Sequence, residues 1–254
     1  MEFAVNNGFD KYWADNYESL VRMILNSKNA PAVVIVNAYC NAGYTAEPYM
    51  KEIADYYSIP SVSVKSMTEY MSANGAPWSE YSDDTVHPNE NGHLMICECI
   101  KHIFRLAGKN GVPAPVPQKC CYGNTFETLK FYDEKNLPII SAGAFSEAQG
   151  GIVFDSGWRY SPKEKAAEDG DFEFRVDSDY LYIVYEIDCR QDERAKAEII
   201  INGKTAETLD GYSIYGWNNP AVKYIPLPRR GSTVKIKIRK ENMNKSFRLF
   251  GFGY

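Results

Sequence analysis

Residues 32–36 read Ala-Val-Val-Ile-Val, an uninterrupted apolar run that is mostly β-branched. Such a run is typical of a strand covered on both faces of a parallel sheet. On either side of it, residues 17–25 and 50–57 place apolar side chains at helical spacing. We predict a helix over each of these two segments, the first of them capped by Asp15 or Asn16.

The same alternation continues along the first 107 residues. Residues 3–5 predict the end of a strand, residues 59–64 predict another strand, and after a polar stretch residues 89–106 predict a final helix. Strands that alternate with crossover helices are typical of a parallel sheet, so we predict an α/β domain over residues 1–107.

Residues 108–118 contain two glycines and three prolines and predict an irregular connection. We predict a linker over residues 108–122 and a second domain over residues 123–254. In this second domain the apolar period changes to two, and glycine-containing turns separate the runs. The alternating apolar residues are Phe172, Phe174, Val176, Leu181, Ile183, Tyr185, Ile187, Val234, Ile236, Ile238, Phe247 and Leu249. This pattern predicts an all-β sandwich of jelly-roll-like type.

The net charge is -5, with 33 acidic and 28 basic residues spread along the chain. A basic surface for a phosphate backbone is therefore not expected, and nucleic acid is excluded as a partner. No apolar run approaches the ~20 residues that cross a bilayer, so we expect no membrane partner.

The six cysteines include no Cys-x-x-Cys pair, and no carboxylate pair flanks the three histidines at a ligand spacing. We therefore expect no metal and no cofactor. The thiols are expected to be reduced and mostly buried. A bridge from Cys120 or Cys121, which are adjacent in the predicted linker, stays an alternative.

Residues 83–93 read Asp-Asp-Thr-Val-His-Pro-Asn-Glu-Asn-Gly-His and lead into the predicted final helix. This string resembles the end of the catalytic domain of SGNH (GDSL-type) ester hydrolases, which carry Asp-x-x-His-Pro-(Asn/Asp)-x-x-Gly-(His/Tyr) before a helix. The matching residues are Asp84, His87, Pro88, Asn89, Gly92 and His93. The resemblance covers residues 2–107 and implies an incomplete flavodoxin-like domain with three layers around a parallel sheet.

The resemblance implies that His87 takes the proton from a serine hydroxyl while Asp84 orients the imidazole and stabilises its charged form. The alternative is that His87 only caps or packs at the start of the helix. Residues 2–7 resemble the Gly-x-Asn-Asp segment of the family, with Asn6 as the oxyanion donor. Ala4 and Asn7 depart from that segment, and Asn6 as a simple turn former is the alternative.

The Gly-Asp-Ser motif of the family, which supplies the nucleophile, and the glycine of its second motif have no counterpart here. Residues 155–157, Asp-Ser-Gly, follow His87 instead of preceding it, so Ser156 is interpreted as a turn residue. A truncated reading frame, an inactive remnant and a half-domain completed by another polypeptide remain open. We favour truncation, because loss of the first two strands leaves an apolar sheet edge exposed to association. The native compartment, cytoplasmic or secreted, stays open.

Aromatic side chains are concentrated in the second domain, and Trp217 lies in a segment predicted to be a loop. Aromatic rings of this kind either fill the core or stack on sugars, and Trp217 is the candidate for substrate binding. The SGNH resemblance implies a serine esterase acting on acyl esters or carbohydrate O-acetyl groups, with a small-molecule or carbohydrate ester as substrate. The alternative is a noncatalytic carbohydrate-binding or interaction protein that acts through the β domain.

Overall fold

The computed structural model describes residues 1–29, 31–110, 115–163 and 170–254. The chain forms two compact units, Met1–Thr128 and Leu129–Tyr254. The sequence pattern predicts that the second domain begins at residue 123. Residues 111–114 of the predicted linker lie outside the described residues.

The first unit combines helices with a short parallel sheet. Its elements are α1 (Lys11–Leu25), β1 (Ile35–Asn37), α2 (Glu47–Tyr56), β2 (Ser61–Ser63), α3 (Val64–Ala73) and α4 (Glu90–Asn110). Strands β1 and β2 pair in parallel, with Ile35 opposite Ser61. Strand β1 and helix α2 bury their apolar side chains in one core with those of α1, as the sequence pattern predicts. The three-layer flavodoxin-like arrangement stays a prediction.

The prediction of a strand end at residues 3–5 is wrong. The backbone turns there, because the N–H groups of Asn6 and Asn7 both donate to the carbonyl of Phe3 at 3.0 Å. Met1 instead runs beside β1, since its ammonium donates to Val34 at 2.7 Å and the N–H of Val36 donates to its carbonyl at 2.9 Å.

Two helix ends differ from the sequence predictions. Helix α1 is capped by Asp10, whose carboxylate accepts from the N–H of Trp13 at 3.2 Å, and not by Asp15 or Asn16. Helix α4 continues through Gly108 to Asn110, beyond its predicted end at residue 106. A helix of this length tolerates one exposed glycine near its end at a cost of about 1 kcal/mol.

Helix α3 lies in the stretch interpreted as merely polar. Ser63 caps it by accepting from the N–H of Ser66 at 3.1 Å. The helix buries only Val64 and Thr68, and so few buried positions give a weak periodic pattern in the sequence.

A buried carboxylate joins the end of the first unit to α1. Glu18 accepts from the N–H groups of Cys121 at 2.7 Å, Tyr122 at 2.6 Å and Gly123 at 2.8 Å. Arg22 forms an ion pair with Glu127 at 2.7 Å a turn further on. The chain therefore packs against α1 up to Thr128, where the first unit ends.

The second unit is an antiparallel β-sandwich. Its strands are β3 (Phe131–Tyr132), β4 (Ile139–Ser141), β5 (Phe145–Gln149), β6 (Ser156–Tyr160), β7 (Phe172–Val176), β8 (Tyr180–Asp188), β9 (Lys196–Ile201), β10 (Lys204–Asp210), β11 (Trp217–Pro226), β12 (Ser232–Ile238) and β13 (Phe247–Gly253). One sheet has the order β10-β9-β12-β7-β4, and the other has the order β11-β8-β13-β6-β5 with β3 beside β13.

The core of the second unit contains buried side chains from both sheets. The strands predicted at residues 172–176, 181–187, 234–238 and 247–249 are confirmed. Ser156 begins β6, so its interpretation as a turn residue is wrong. The jelly-roll-like connection of the strands stays a prediction.

Candidate functional site

The loop before α4 is held against the body of the first unit by the helix itself. Asn89 accepts from the N–H of Gly92 at 3.0 Å and so caps α4, while its own N–H donates to Tyr81 at 2.9 Å. A Cβ atom at Gly92 would lie 2.2 Å from the carbonyl oxygen of Tyr81. Glycine at this position therefore permits the close approach of α4 to the loop.

Asp84 and His87 form a hydrogen-bonded pair in this loop. Nδ1 of His87 lies 2.8 Å from Oδ2 of Asp84. Oδ1 of Asp84 accepts from the N–H groups of Val86 at 2.6 Å and His87 at 2.7 Å. The bond from Val86, followed by those from the ring and backbone of His87, holds the pKa of Asp84 well below its ordinary value. Asp84 is therefore a carboxylate that can accept a hydrogen bond from Nδ1 of His87.

The backbone around the pair is fixed from several directions. The Ser82 hydroxyl donates to the carbonyl of His87 at 2.6 Å, and the Trp78 indole donates to the carbonyl of Asp84 at 2.6 Å. The N–H of Asn41, in the loop after β1, donates to Thr85 at 2.8 Å. These bonds leave the ring of His87 exposed, with 83% of its side-chain surface accessible. Its Nε2 atom is therefore directed away from Asp84.

Asn6 and His87 line the same cleft of about 510 Å³. The cleft lies where the chain leaves the carboxyl end of β1, the edge at which open α/β sheets bind ligands. Asn6 presents an exposed amide there, while the following residue, Asn7, donates to Tyr49 at 3.1 Å. The arrangement can hold an ester carbonyl between an amide donor and an imidazole base.

Three other cleft residues with polar or thiol side chains, Glu2, Cys40 and Tyr44, are not among the predicted site residues. Two of them lie in the loop after β1, and the position after a buried parallel strand is the signal that could have identified them. None of the described residues that line this cleft is a serine.

Trp217 lies in the second unit and is the first residue of β11, so its assignment to a loop is wrong. Its side chain is nevertheless exposed, at 57% of its surface, as is that of the nearby Tyr215. Trp158 and Tyr160, by contrast, are buried in the sandwich core. The structure thus separates exposed rings from those that fill the core.

The described residues contain no group of three His, Cys, Asp or Glu side chains that could hold a metal ion. All six cysteines are free, and Cys97, Cys121 and Cys189 are exposed. The expectation of mostly buried thiols is wrong, because the other three are only partly covered. No helix in the described part of the chain has the length and apolar character needed to cross a bilayer.

The first unit is an α/β unit, and its histidine–aspartate pair is a candidate acid–base site. The β-sandwich is an accessory β unit. No protein-family model matches the chain, and no curated protein matches it. Two solved structures are similar over nearly its whole length. One, a two-domain esterase active on acetylated mannans co-crystallized with mannopentaose, has a TM-score of 0.82 at 24% identity, covering 99% of this chain and 70% of that one. Another structure of a two-domain esterase active on acetylated mannans has a TM-score of 0.80 at 21% identity, covering 98% and 70%. The chain shares its two-domain fold with these esterases.

Proposed function

We propose that Asp84, His87 and Asn6 are the acid–base and oxyanion groups of an SGNH-type serine ester hydrolase. One observation carries this proposal: the Asp84-oriented ring of His87 and the amide of Asn6 line a single cleft. A histidine that merely capped α4 would not need this arrangement, and Asn89 already provides the cap.

The chemistry follows from these positions. Nε2 of His87 removes the proton of a serine hydroxyl as the serine oxygen bonds to the ester carbonyl carbon. The carbonyl oxygen becomes an oxyanion, which the Asn6 amide stabilises by a hydrogen bond. His87 then returns the proton to the departing alcohol, and water removes the acyl group from the serine by the same steps.

The nucleophile is the part of the proposed site that Asp84, His87 and Asn6 do not supply. The resemblance assigns it to a Gly-Asp-Ser segment that precedes Asn6 in chain order, and the described lining residues provide a thiol, Cys40, but no serine. We propose a serine from such a segment, because an imidazole with no hydroxyl to activate contributes little catalysis.

The substrate class we propose is the O-acetyl ester of a carbohydrate. The fold shared with esterases active on acetylated mannans supports an acetyl ester. The cleft is open, and the exposed His87 allows access to an ester on a large chain.

The test is hydrolysis of p-nitrophenyl acetate and release of acetate from acetylated mannan. The present chain and a version bearing a Gly-Asp-Ser segment are compared. We expect activity only in the longer version, and His87→Ala should lower kcat about 10²–10⁴-fold. His102→Ala, an exposed histidine on α4, is the matched control. Full activity of the longer His87→Ala variant contradicts the proposal.

Asn6→Ala tests the oxyanion role separately. Removal of one oxyanion donor lowers kcat about 10²–10³-fold and leaves KM nearly unchanged, because the interaction strengthens in the transition state. The steady-state constants of the active, serine-bearing protein measure this effect. An Asn6→Ala variant with unchanged kcat assigns Asn6 to the turn alone.

A second candidate is carbohydrate binding by the second unit, favoured by the exposed rings of Tyr215 and Trp217. Titration of the chain with mannan oligosaccharides, compared with Trp217→Ala, tests it. Loss of binding in the variant supports this function, whereas unchanged affinity excludes Trp217 as a contact.

A further inference from the structure

A cleft of about 900 Å³ opens on the second unit, apart from the residues of the ester site. Its floor includes Arg159 of β6, Arg248 of β13 and Glu186 of β8, which are three neighbouring strands. Arg248 pairs directly with Arg159, and the flanking residues Trp158 and Leu249 are buried in the sandwich core. Because side chains alternate along strands, the two arginines lie on the opposite face from the core.

Glu186 is balanced mainly by one arginine. Nη1 of Arg194 lies 2.8 Å from Oε1 of Glu186, and its Nη2 donates to the side-chain oxygen of Asn218 at 2.6 Å. The Nε atom of Arg194 is buried without a hydrogen-bond partner among the described residues. Both terminal nitrogens of Arg194 therefore have partners, whereas its Nε–H has none among the described residues.

Arg248 is the less satisfied group. Its side chain is 10% exposed, and among the described residues the carboxylate oxygen paired with it, in Glu186, is 3.8 Å away. Within the described structure its Nε and Nη2 atoms are buried and have no hydrogen-bond partner. Burial is the main cause of a pKa below the ordinary value, and the nearby Arg159 and Arg194 contribute to it. Arginine nonetheless stays protonated. Glu186 and the ring of Phe250, whose centroid lies 4.9 Å from the guanidinium carbon, face its charge, but they leave the Nε and Nη2 donors without a hydrogen bond.

The electrostatic balance of the cleft indicates the kind of partner. Among the described residues that line it, five are cationic and three are carboxylates, in a chain whose net charge is -5. A buried guanidinium with free Nε and Nη2 donors presents the fork that binds two oxygens of one anion. Buried donors of this kind are costly unless they are satisfied.

We propose that this cleft binds a small molecule through a carboxylate or phosphate group, which Arg248 holds by its Nε and Nη2 atoms. Arg194 contributes its Nε donor beside it. The volume leaves room for a monosaccharide-sized body attached to the anion. Every group that this site uses lies in the second unit, whereas Asp84, His87 and Asn6 lie in the first.

The test follows the arginine Nε–H signals of the ¹⁵N-labelled full chain by NMR at constant ionic strength. Inorganic phosphate and galacturonate are the two anionic probes, and galactose is the uncharged control. We expect a saturable shift of the Arg248 signal with at least one anion, and the preferred probe distinguishes phosphate from carboxylate.

Arg248→Met keeps the apolar stem and removes the fork, and we expect at least a tenfold rise in Kd for the anion. Arg230→Met, which removes an exposed arginine paired with Asp179, should leave Kd unchanged. If near-ultraviolet circular dichroism shows that Arg248→Met is not folded, the Arg248→Lys variant and the wild-type titration test the proposal instead. The proposal is overturned if neither anion saturates, if galactose shifts the signal equally, or if a folded Arg248 variant binds as tightly.

Discussion

Asp84 is the residue on which the orientation of His87 depends. Its two oxygens have different partners. Oδ1 accepts hydrogen bonds from the backbone N–H groups of residues 86 and 87, whereas Oδ2 is hydrogen-bonded to the imidazole. The pair is local in sequence, and the backbone bonds keep the carboxylate in place even though it is exposed. The ring tautomer therefore depends on the charge of Asp84.

Asp84→Asn should reduce kcat of the serine-bearing protein about 10⁴-fold, since an amide in this position favours the wrong imidazole tautomer. KM should change little, because the carboxylate faces the histidine. Steady-state kinetics measure both constants, and Asp83→Asn at the neighbouring position is the control. A kcat that falls equally in both variants would indicate general damage to the loop.

The hydrogen bonds of Asp188 predict that the stability of the fold decreases in acid. It accepts from the backbone and side chain of Arg190 at 2.8 and 2.7 Å, and the side-chain bond is the main reason that its pKa is lowered to about 2. A lowered carboxyl pKa stabilises the fold above the unfolded value, near 3.9, and this contribution is lost as pH falls towards about 2.

Asp188→Asn should therefore cost about 2 kcal/mol at pH 7, and the difference from wild type should shrink between about pH 4 and 2. Urea unfolding across this pH range measures it. Asp179→Asn, which removes the exposed partner of Arg230, should stay within about 0.5 kcal/mol of wild type at pH 7. A pH-independent gap for Asp188→Asn contradicts the linkage.

At the scale of elements, α4 positions the loop of Asp84 and His87 by contact as well as by capping. Gly92→Ala places a methyl group against the carbonyl of Tyr81, so the helix must move away from the loop. We expect a loss of about 1–3 kcal/mol in unfolding free energy and reduced esterase activity in the serine-bearing protein. Thermal denaturation and kinetics measure the two effects.

Gly108→Ala is the matched control in the same helix, because nothing lies within 4 Å of the added Cβ. Removing a glycine from an open helical position stabilises by up to about 1 kcal/mol. If both alanine variants behave alike, contact with Tyr81 is not what requires glycine at residue 92.

At the scale of the whole molecule, each unit has a hydrophobic core of its own. The strands of the second unit pair with one another, and they lie within residues 131–253. We therefore expect residues 129–254, expressed alone, to fold cooperatively with native near-ultraviolet circular dichroism. A fragment that lacks a cooperative thermal transition would show that its core is insufficient.

The sequence alone predicted the change from helical to alternating periodicity and the main strands of the sandwich, and its resemblance to the ester-hydrolase motif implied the Asp84–His87 pair. These features are local, since a period or a short motif is visible in the chain itself. The short β1 and β2 strands were placed within a few residues of their ends, whereas α3 was missed because it buries little.

Only the tertiary structure decided that Asn6 shares a cleft with His87, and that Met1 rather than residues 3–5 runs beside β1. It alone also gathered Glu186, Arg194 and Arg248 into one cleft. A charged residue on the outer face of a strand gives the same alternating sequence pattern whether its side chain faces bulk water or lines a cleft. Which of the two applies depends on pairing between strands that are distant in sequence, and local periodicity does not encode that pairing.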